Sequence, residues 1–246
     1  MSRVELQPCW VLHRRAWRES SLLVEVLTPS WGRLGLVARG ARGARSPWRG
    51  LLEPFIPLQA SWTRRGEMGT LSALEPIGDS VRLGGRALWC GLYVNELLMR
   101  LTGRDDPAPE LFTLYGRLML ALTDPAGLAV ALRRFELALL DLMGVMPDLA
   151  HEADGNRVVI AEGLYHVDPE RGPRAVSRPG PDVFGGDLLL ALAHDRIEDA
   201  EVAARSRALT RLLLDRQLGG KPLHARSLFS APAASRTVQN DGDLSE

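Results

Sequence analysis

The hydrophobic pattern of this chain changes near Pro76, and that change constrains the fold more than any other feature. Before it, short runs rich in Val, Leu, Trp and Phe are separated by Gly, Pro, Ser or charged residues, as in β-strands. The predicted strands are residues 9–13, 22–27, 34–38, 55–62 and 69–74. Five such strands are typical of a small Greek-key barrel of the OB type, although an SH3-like barrel would look nearly the same.

After Pro76, apolar residues recur every three or four positions, which predicts helices. The predicted helices are residues 87–101, 109–122, 126–143, 186–194 and 200–218, with a short one at 222–229. A Pro- and Gly-rich stretch at about 145–185 predicts an irregular insertion with β-like pieces at 157–160 and 163–167. We therefore expect an α+β chain: a five-stranded barrel domain (1–78), a helical domain (79–238) and a flexible tail (239–246).

Composition and motifs exclude several classes of protein. Of 246 residues, 46% are hydrophobic and 24% charged, as in globular proteins, and no apolar run approaches the roughly 20 residues of a membrane span. The first ten residues do not have the layout of a signal peptide, so we expect a cytoplasmic protein. The sequence has no P-loop, no G-x-S-x-G and no H-E-x-x-H motif. Cys9 and Cys90 lie in apolar contexts and are expected to be buried. We therefore predict no catalytic residues, no cofactor and no metal.

The charge is distributed unevenly along the chain. Residues 1–75 carry eleven arginines and six acidic residues, a net charge of +5, and residues 76–246 carry the balancing −5. Between Arg39 and Arg49 there are four arginines, interleaved with glycines, and no acidic residue. Such a basic loop can follow a phosphate backbone, and it can equally be a solvated surface loop.

Four stretches of the chain resemble the RecO family of bacterial recombination mediators. They are the V-L-x-x-R, E-S-S-L and V-A-R-G-A-R elements within residues 11–46, L-x-P-F-x-P-L and G-E-x-x-T-L within 51–76, the helical pair 91–101 and 131–144, and G-G-K-x-L within 218–229. The resemblance extends from about residue 8 to 238 and is loose over 145–200.

The resemblance implies an OB barrel docked on a helical domain. It also implies a protein that binds single- and double-stranded DNA and anneals complementary strands without covalent chemistry. The implied partners are the acidic, apolar C-terminal tail of the single-stranded DNA-binding protein, RecR and, in many members, RecF, with which RecA is loaded onto coated strands. We accordingly expect association with the nucleoid. Many members carry a four-cysteine zinc module, but residues 144–185 contain no cysteine, so we do not extend zinc to this chain.

OB folds bind strands with a basic groove and aromatic faces. The predicted DNA-binding residues are Arg14, Arg15, Arg39, Arg42, Arg45, Arg49, Arg64, Arg65 and Trp48 in the barrel, with Lys221 and Arg226 in the helical domain. Trp17 and Trp48 could stack on bases or pack as lids, whereas Trp10 and Trp62 are expected in the core. Lys221, Arg211 and Arg226 could extend the DNA track or cap helix ends.

The R-R-F-E segment at residues 133–136 matches the part of the family that holds the partner tail. We therefore predict tail binding by Arg133 with an apolar groove of Leu132, Phe135 and Leu139. Adjacent arginines project about 100° apart on a helix, so we expect that Arg133 and Arg134 are not both buried. The alternative for Arg133 is an ion pair with Glu136, Asp141 or Glu96.

Two other functions remain open on the sequence. One is a metal-dependent nucleic-acid enzyme that uses the barrel for docking, although its acidic residues show no metal-binding constellation. The other is an assembly adaptor with little direct DNA binding.

Overall fold

The computed structural model describes residues 2–78, 80–155 and 157–229. The predicted tail at 239–246 and the end of the predicted helical domain lie outside these residues. The first strands are β1 (Ser2–Trp17), β2 (Ser21–Thr28), β3 (Gly32–Ala38), β4 (Pro57–Arg64) and β5 (Gly69–Pro76). They close into a barrel in the order β1-β2-β3-β5-β4.

The barrel has the layout of an OB fold, which confirms the predicted α+β class. β1 pairs with β2 through its C-terminal half and with β4 through its N-terminal half, while β3 and β5 are parallel. Trp10 lies where the two ladders of β1 meet, opposite both Leu27 and Pro57. β1 is much longer than the predicted strand 9–13. The prediction was too short because both ends of β1 carry mainly exposed side chains, many of them polar, and these do not show the apolar pattern of a strand.

The helices follow the barrel. They are α1 (Gly85–Leu101), α2 (Pro109–Ala121), α3 (Leu128–Leu142), α4 (Gly186–Ala193), α5 (Ala200–Arg205), α6 (Arg207–Gln217) and a 3₁₀ helix (His224–Phe229). The predicted helix 200–218 is divided at Ser206, whose buried hydroxyl donates a hydrogen bond to the Ala203 carbonyl. A hydroxyl bonded to the preceding turn competes with the regular helix ladder, which favours a break at this point. Among the described residues, no helix is long and apolar enough to cross a membrane.

The insertion contains a small antiparallel sheet. Its strands are β6 (Leu164–Asp168), β7 (Gly172–Val176) and β8 (Val183–Gly185), in the order β7-β6-β8. The predicted piece 163–167 corresponds to β6. The predicted strand at 157–160 is wrong, because Val158 makes one isolated bridge to His151. Sequence periodicity missed β7 and β8 because Gly and Pro interrupt their short apolar runs.

Two hydrophobic cores share the barrel wall. One fills the barrel and contains the buried Trp62, and the other lies among the helices. Trp10 belongs to the helical core, where its ring meets Tyr115 edge-on at 5.4 Å between centroids. Asn95 of α1 donates to the Leu12 carbonyl of β1 at 2.9 Å and accepts from the Tyr115 hydroxyl at 2.7 Å. The helices thus anchor on the outside of the barrel, and both predicted core tryptophans are confirmed.

A second contact joins the barrel to the loop between α1 and α2. Gly32 has φ +59°, and a Cβ there would lie 1.8 Å from the Asp106 carbonyl oxygen, so only glycine allows this approach. Arg33 donates to the Thr102 carbonyl at 2.8 Å and pairs with the buried Glu25 at 3.1 Å. These contacts fix the start of β3 against the helical part.

Candidate nucleic-acid and peptide sites

Three connections meet at one end of the barrel. They are the β1–β2 turn, the start of the long β3–β4 connection and the β4–β5 turn, and together they border a cleft of about 880 Å³. The principal side chains of the cleft are Trp17, Arg18, Arg39, Arg65, Glu67 and Met68. In OB folds, the β1–β2 and β4–β5 loops are those that contact oligonucleotides.

The arginines of the β3–β4 connection are exposed and carry uncompensated charge. Arg42 donates to the Glu19 carbonyl at 3.0 Å, and Arg49 donates to the Ala44 carbonyl at 3.3 Å. Arg39 and Arg45 have no carboxylate partner among the described residues. Bonds to neutral carbonyls orient a guanidinium without cancelling its charge, so this loop presents four positive charges to an anionic backbone.

Trp17 and Trp48, for which the sequence left base stacking and packing as alternatives, differ in their surroundings. Trp17 is half-buried, lines the cleft and has the Arg15 guanidinium 5.5 Å from its ring centroid. Trp48 is also half-buried, but its Nε1 donates to the Arg39 carbonyl at 3.3 Å and its ring packs on the barrel core. Trp17 is therefore better placed than Trp48 to offer a ring face to a base.

Three other predicted barrel arginines have different positions. Arg14 pairs with Glu53 at 2.6 Å, and Arg65 is exposed and lines the cleft. Arg64 makes two hydrogen bonds to the Asp105 carboxylate, at 2.6 and 2.7 Å, so it belongs to the junction with the helices. Sequence reasoning missed Arg18, for which the only signal is its position in the turn directly after β1.

A separate cavity of about 550 Å³ lies between helices. Apolar side chains from α1, α3, α5 and the 3₁₀ helix form part of its wall: Tyr93, Leu128, Leu132, Ala203 and Phe229. Five arginines also line it: Arg86, Arg133, Arg207, Arg211 and Arg226. The 3₁₀ helix is held there because Glu96 of α1 accepts from the backbone N–H groups of His224 and Ala225, at 3.0 and 2.8 Å.

Arg133 is buried in an ion pair, as one of the alternatives predicted. Its Nη2 donates to Glu136 Oε1 at 2.9 Å, and its Nη1 donates to Thr210 Oγ1 at 2.5 Å. Burial raises the pKa of Glu136, and the charge of Arg133 and the Tyr93 hydroxyl oppose that shift. Arg134 is exposed and lies 3.6 Å from Glu198, so one of the two adjacent arginines is buried and the other is not.

The remaining cavity arginines divide into two kinds. Arg211 and Arg226 both pair with Asp215. Arg86 and Arg207 are exposed and have no carboxylate partner within the described part of the chain. Sequence reasoning missed these two because they stand at the starts of α1 and α6, far apart along the chain and without a shared motif.

The structure separates the predicted members of the apolar groove. Leu132 and Arg133 line the cavity, whereas Phe135 and Leu139 are buried in the helical core and do not line it. Lys221 is exposed after α6, and Arg226 lies at the cavity rather than on the barrel. A DNA track through Arg226 therefore has no support from its position.

The cysteines and carboxylates are not arranged for metal chemistry in the described ranges, where no group of three or more His, Cys, Asp or Glu could hold an ion. Cys9 and Cys90 are both buried, as predicted, and burial raises the pKa of Cys9 to about 12. In the insertion, Glu152 is buried and accepts from the Ala175 N–H at 3.2 Å, which ties β7 to the preceding loop.

Comparison with known proteins identifies the family. Residues 1–79 match the model "Recombination protein O N terminal", and residues 82–227 match "Recombination protein O C terminal". The chain is similar to proteins named DNA repair protein RecO from Alkalilimnicola ehrlichii (46% identity, covering 92% of this chain and 91% of the relative), Azoarcus sp. (42%; 92% and 96%) and Halorhodospira halophila (42%; 93% and 98%). The protein whose barrel and helical cavity are described above therefore belongs to the RecO family.

Proposed function

We propose that this protein is a DNA-repair and recombination mediator that binds DNA at the open end of its barrel. It binds single- and double-stranded DNA there and anneals complementary strands. Through its helical cavity it engages the acidic, apolar C-terminal tail of the single-stranded DNA-binding protein. With RecR, and with RecF where that protein takes part, it promotes the loading of RecA.

The observation that carries the proposal is the cluster of exposed, uncompensated arginines beside the cleft at the end of an OB barrel. Arg39, Arg42, Arg45 and Arg49 can each replace counterions on phosphates, which is the main source of affinity for nucleic acid. The exposed part of the Trp17 ring can stack on a base without regard to sequence. This combination suits a ligand with regular negative charge and variable bases.

Strand annealing then requires no covalent step. Two complementary strands repel each other through their phosphates, and arginines that neutralise phosphates reduce that repulsion. The protein's own contribution is to concentrate and neutralise both strands, so we assign no catalytic residue.

The helical cavity supports the second part of the proposal. Its apolar wall of Leu128, Leu132 and Phe229 suits a large apolar side chain, and the exposed Arg86 and Arg207 suit carboxylates. An acidic peptide with an apolar end offers both groups together. A cavity of about 550 Å³ falls within the usual size of a small-ligand site.

An assembly adaptor with little direct DNA binding is the second candidate. It is favoured by the ion pairs of Arg14 and Arg64, which commit two of the predicted DNA-binding arginines to carboxylates. The adaptor would use the helical cavity and leave the barrel as a structural part.

Annealing of complementary oligonucleotides, bare and coated with the single-stranded DNA-binding protein, tests the proposal. We expect the full chain to accelerate both reactions. An Arg39/Arg42/Arg45/Arg49→Ala variant should fail in both, whereas an Arg86/Arg207→Gln variant should fail only with coated strands. An adaptor would instead bind the tail peptide and leave bare oligonucleotides unbound in a fluorescence titration.

A further inference from the structure

The cavity proposed for an acidic ligand contains a buried carboxylate. Glu136 lines the cavity, yet its side chain is only 1% exposed. A carboxylate inside an anion-binding cavity repels the ligand unless its charge is compensated. The way in which Glu136 is compensated therefore determines how much positive charge the cavity offers.

Two helices besides its own surround this carboxylate. Glu136 Oε1 accepts from the Tyr93 hydroxyl of α1 at 2.8 Å and from Arg133 Nη2 at 2.9 Å. Glu136 Oε2 lies 2.6 Å from Arg133 Nη1, which also donates to Thr210 Oγ1 of α6 at 2.5 Å. The Arg133 guanidinium thus contacts Glu136 on its own helix and Thr210 on α6, and its charge is paired within the wall of the cavity.

We propose that Glu136 is a positioning residue of this cavity, which fixes the Arg133 guanidinium in the wall and withholds its charge from an acidic ligand. The carboxylates of the ligand are then taken by Arg86 and Arg207, and the apolar end packs against the region around Arg133. This inference rests on the proposed function of the cavity and specifies its binding mode.

The geometry gives Glu136→Gln a definite consequence. The substitution keeps the shape and the hydrogen bond from Tyr93, but it removes the negative charge that pairs with Arg133. The Gln amide oxygen can keep one bond to Arg133, while its NH₂ group would face the donor Arg133 Nη1 and repel it. Arg133 then becomes a further cation available to the ligand.

The test uses the full chain and two synthetic peptides: an acidic peptide ending in Phe, and the same peptide with each Asp replaced by Asn. Affinities are measured by isothermal titration between about 0.05 and 0.5 M salt, a range over which screening changes strongly. We expect Glu136→Gln to bind the acidic peptide about threefold to tenfold more tightly at low salt and to lose this gain at high salt. The Asn peptide should not gain affinity.

Thr210→Val is the matched control. It removes the hydroxyl that accepts from Arg133 without changing any charge, so the salt dependence of peptide binding should stay that of the parent. If Glu136→Gln has the salt dependence of the parent and differs only in thermal stability, Glu136 is merely structural and the proposal is overturned.

The parent protein provides a test without any substitution at Glu136. Burial raises the pKa of this carboxyl, so Glu136 takes up a proton at a higher pH than an ordinary glutamate does, and protonation removes the charge that pairs with Arg133. The groups that face Glu136 are Arg133 on its own helix, Cys90 and Tyr93 from α1, Thr210 from α6 and Arg226 from the 3₁₀ helix.

The affinity of the parent for the acidic peptide should rise as the pH falls and approach that of Glu136→Gln, whose own affinity should stay flat. The measurement is repeated in a His224→Gln background, because His224 begins the 3₁₀ helix that forms part of the cavity wall. A parallel pH response in the parent and in Glu136→Gln would overturn the role of Glu136.

Failure of this inference can be distinguished from failure of the proposed function. If the parent does not bind the acidic peptide, or if Arg86/Arg207→Gln binds it as tightly as the parent, the cavity is not a tail site. If the parent binds and Arg86/Arg207→Gln weakens binding at least fivefold while Glu136→Gln leaves the salt dependence unchanged, only the positioning role is lost.

Discussion

The arginines at the end of the barrel and three of the five arginines that line the helical cavity are held in opposite ways. On the barrel, the arginines of residues 39–49 are exposed, and those with partners donate to main-chain carbonyls. In the cavity, Arg133, Arg211 and Arg226 are paired with carboxylates, and Arg133 is buried. Arginine therefore provides exposed charge at the end of the barrel, whereas in the cavity these three arginines are ion-paired parts of the wall.

This difference matches the ligands that the two regions could take. A nucleic-acid strand offers the same phosphate at every step, so exposed cations can bind it in many registers. A short peptide offers a few groups in a fixed arrangement, so it needs a shaped wall whose polar groups are already in place. The next experiments test whether this distinction holds.

The largest effect is expected for Arg133→Ala, which leaves Glu136 buried without its cation. Removing one partner of a buried ion pair typically costs about 3–5 kcal/mol, so the free energy of unfolding should fall by about that amount. Urea denaturation measures the loss. This result would also mean that weaker tail binding by Arg133→Ala cannot by itself locate the tail site.

Arg134→Ala is the control for this prediction, because Arg134 is the next residue on the same helix and is exposed near an exposed Glu198. Its effect should stay below about 1 kcal/mol. Equal losses for the two variants would break the distinction between wall and surface arginines.

The second effect concerns the barrel loop. Replacing Arg39, Arg42, Arg45 and Arg49 by Ala should weaken binding of a single strand roughly a hundredfold and reduce its salt slope by up to about 2.8, or about 0.7 for each lost phosphate contact. Fluorescence anisotropy over a salt series measures both quantities, and the unfolding free energy should change little because all four side chains are exposed.

A matched variant replaces four exposed arginines of the helical part, Arg171, Arg174, Arg178 and Arg196, by Ala. It removes the same charge from another surface. If this variant loses as much DNA affinity as the loop variant, overall charge rather than the barrel end governs binding.

A smaller effect is expected for Trp17. Base–aromatic stacking contributes about 1–3 kcal/mol per base, and the Trp17 ring is only half-exposed, so Trp17→Ala should weaken single-strand binding about tenfold with an unchanged salt slope. Trp48→Phe should have almost no effect on binding, because the Trp48 ring packs on the barrel core. A larger loss for Trp48→Phe would exchange the roles assigned to the two tryptophans.

The smallest effect concerns Arg64, a barrel arginine that is paired with a carboxylate, as Arg133, Arg211 and Arg226 are in the cavity. The hydrogen bonds from Arg64 keep the pKa of Asp105 below its usual value. The pair therefore stabilises the fold fully at pH values above the pKa of an unfolded Asp, about 3.9. This stabilisation is lost as the pH falls through the lower pKa of the folded protein. Asp105 is partly exposed, which limits the effect to below about 1 kcal/mol.

Asp105→Asn should therefore be less stable than the parent in urea at pH 7, and the difference should vanish as the pH falls below the lowered pKa of Asp105. The comparison isolates the carboxylate charge, since Asn keeps the size of the side chain. A stability difference that persists at low pH would assign the role of Asp105 to its backbone, whose φ is +59°.

Much of the fold could be predicted because local pattern and tertiary position agree in the buried segments. Strands such as β3 and helices such as α3 place their apolar residues on the faces that the structure buries. The hydrophobic pattern did not predict the full length of an element where hydrogen-bonded neighbouring strands, rather than apolar residues, define it. β1 extends over exposed positions because β2 and β4 supply partners on both sides.

The candidate sites were less predictable from the sequence. The basic loop is contiguous, so its four arginines are visible as a cluster. The cavity draws on α1, α3, α5, α6 and the 3₁₀ helix, and no sequence pattern brings Arg86 to Arg207. The family resemblance indicated Arg133, yet its neighbours Phe135 and Leu139 face the core, because residues two and six positions further along a helix do not share its face.

The outer wall of the barrel has a consequence for how such chains can be divided. Trp10, Leu12, Leu27 and Phe55 belong to the strands or connections of the barrel, but they are buried in the core that the helices provide. The two family models meet near residue 80, whereas the hydrophobic contacts run across that boundary. A barrel cut out at residue 78 would expose a contiguous apolar surface, and such surfaces promote aggregation. The segment between the two family models is thus a boundary in sequence comparison but not a boundary between independent folding units. We expect a barrel exchanged between relatives to remain monomeric only when its helices are exchanged with it.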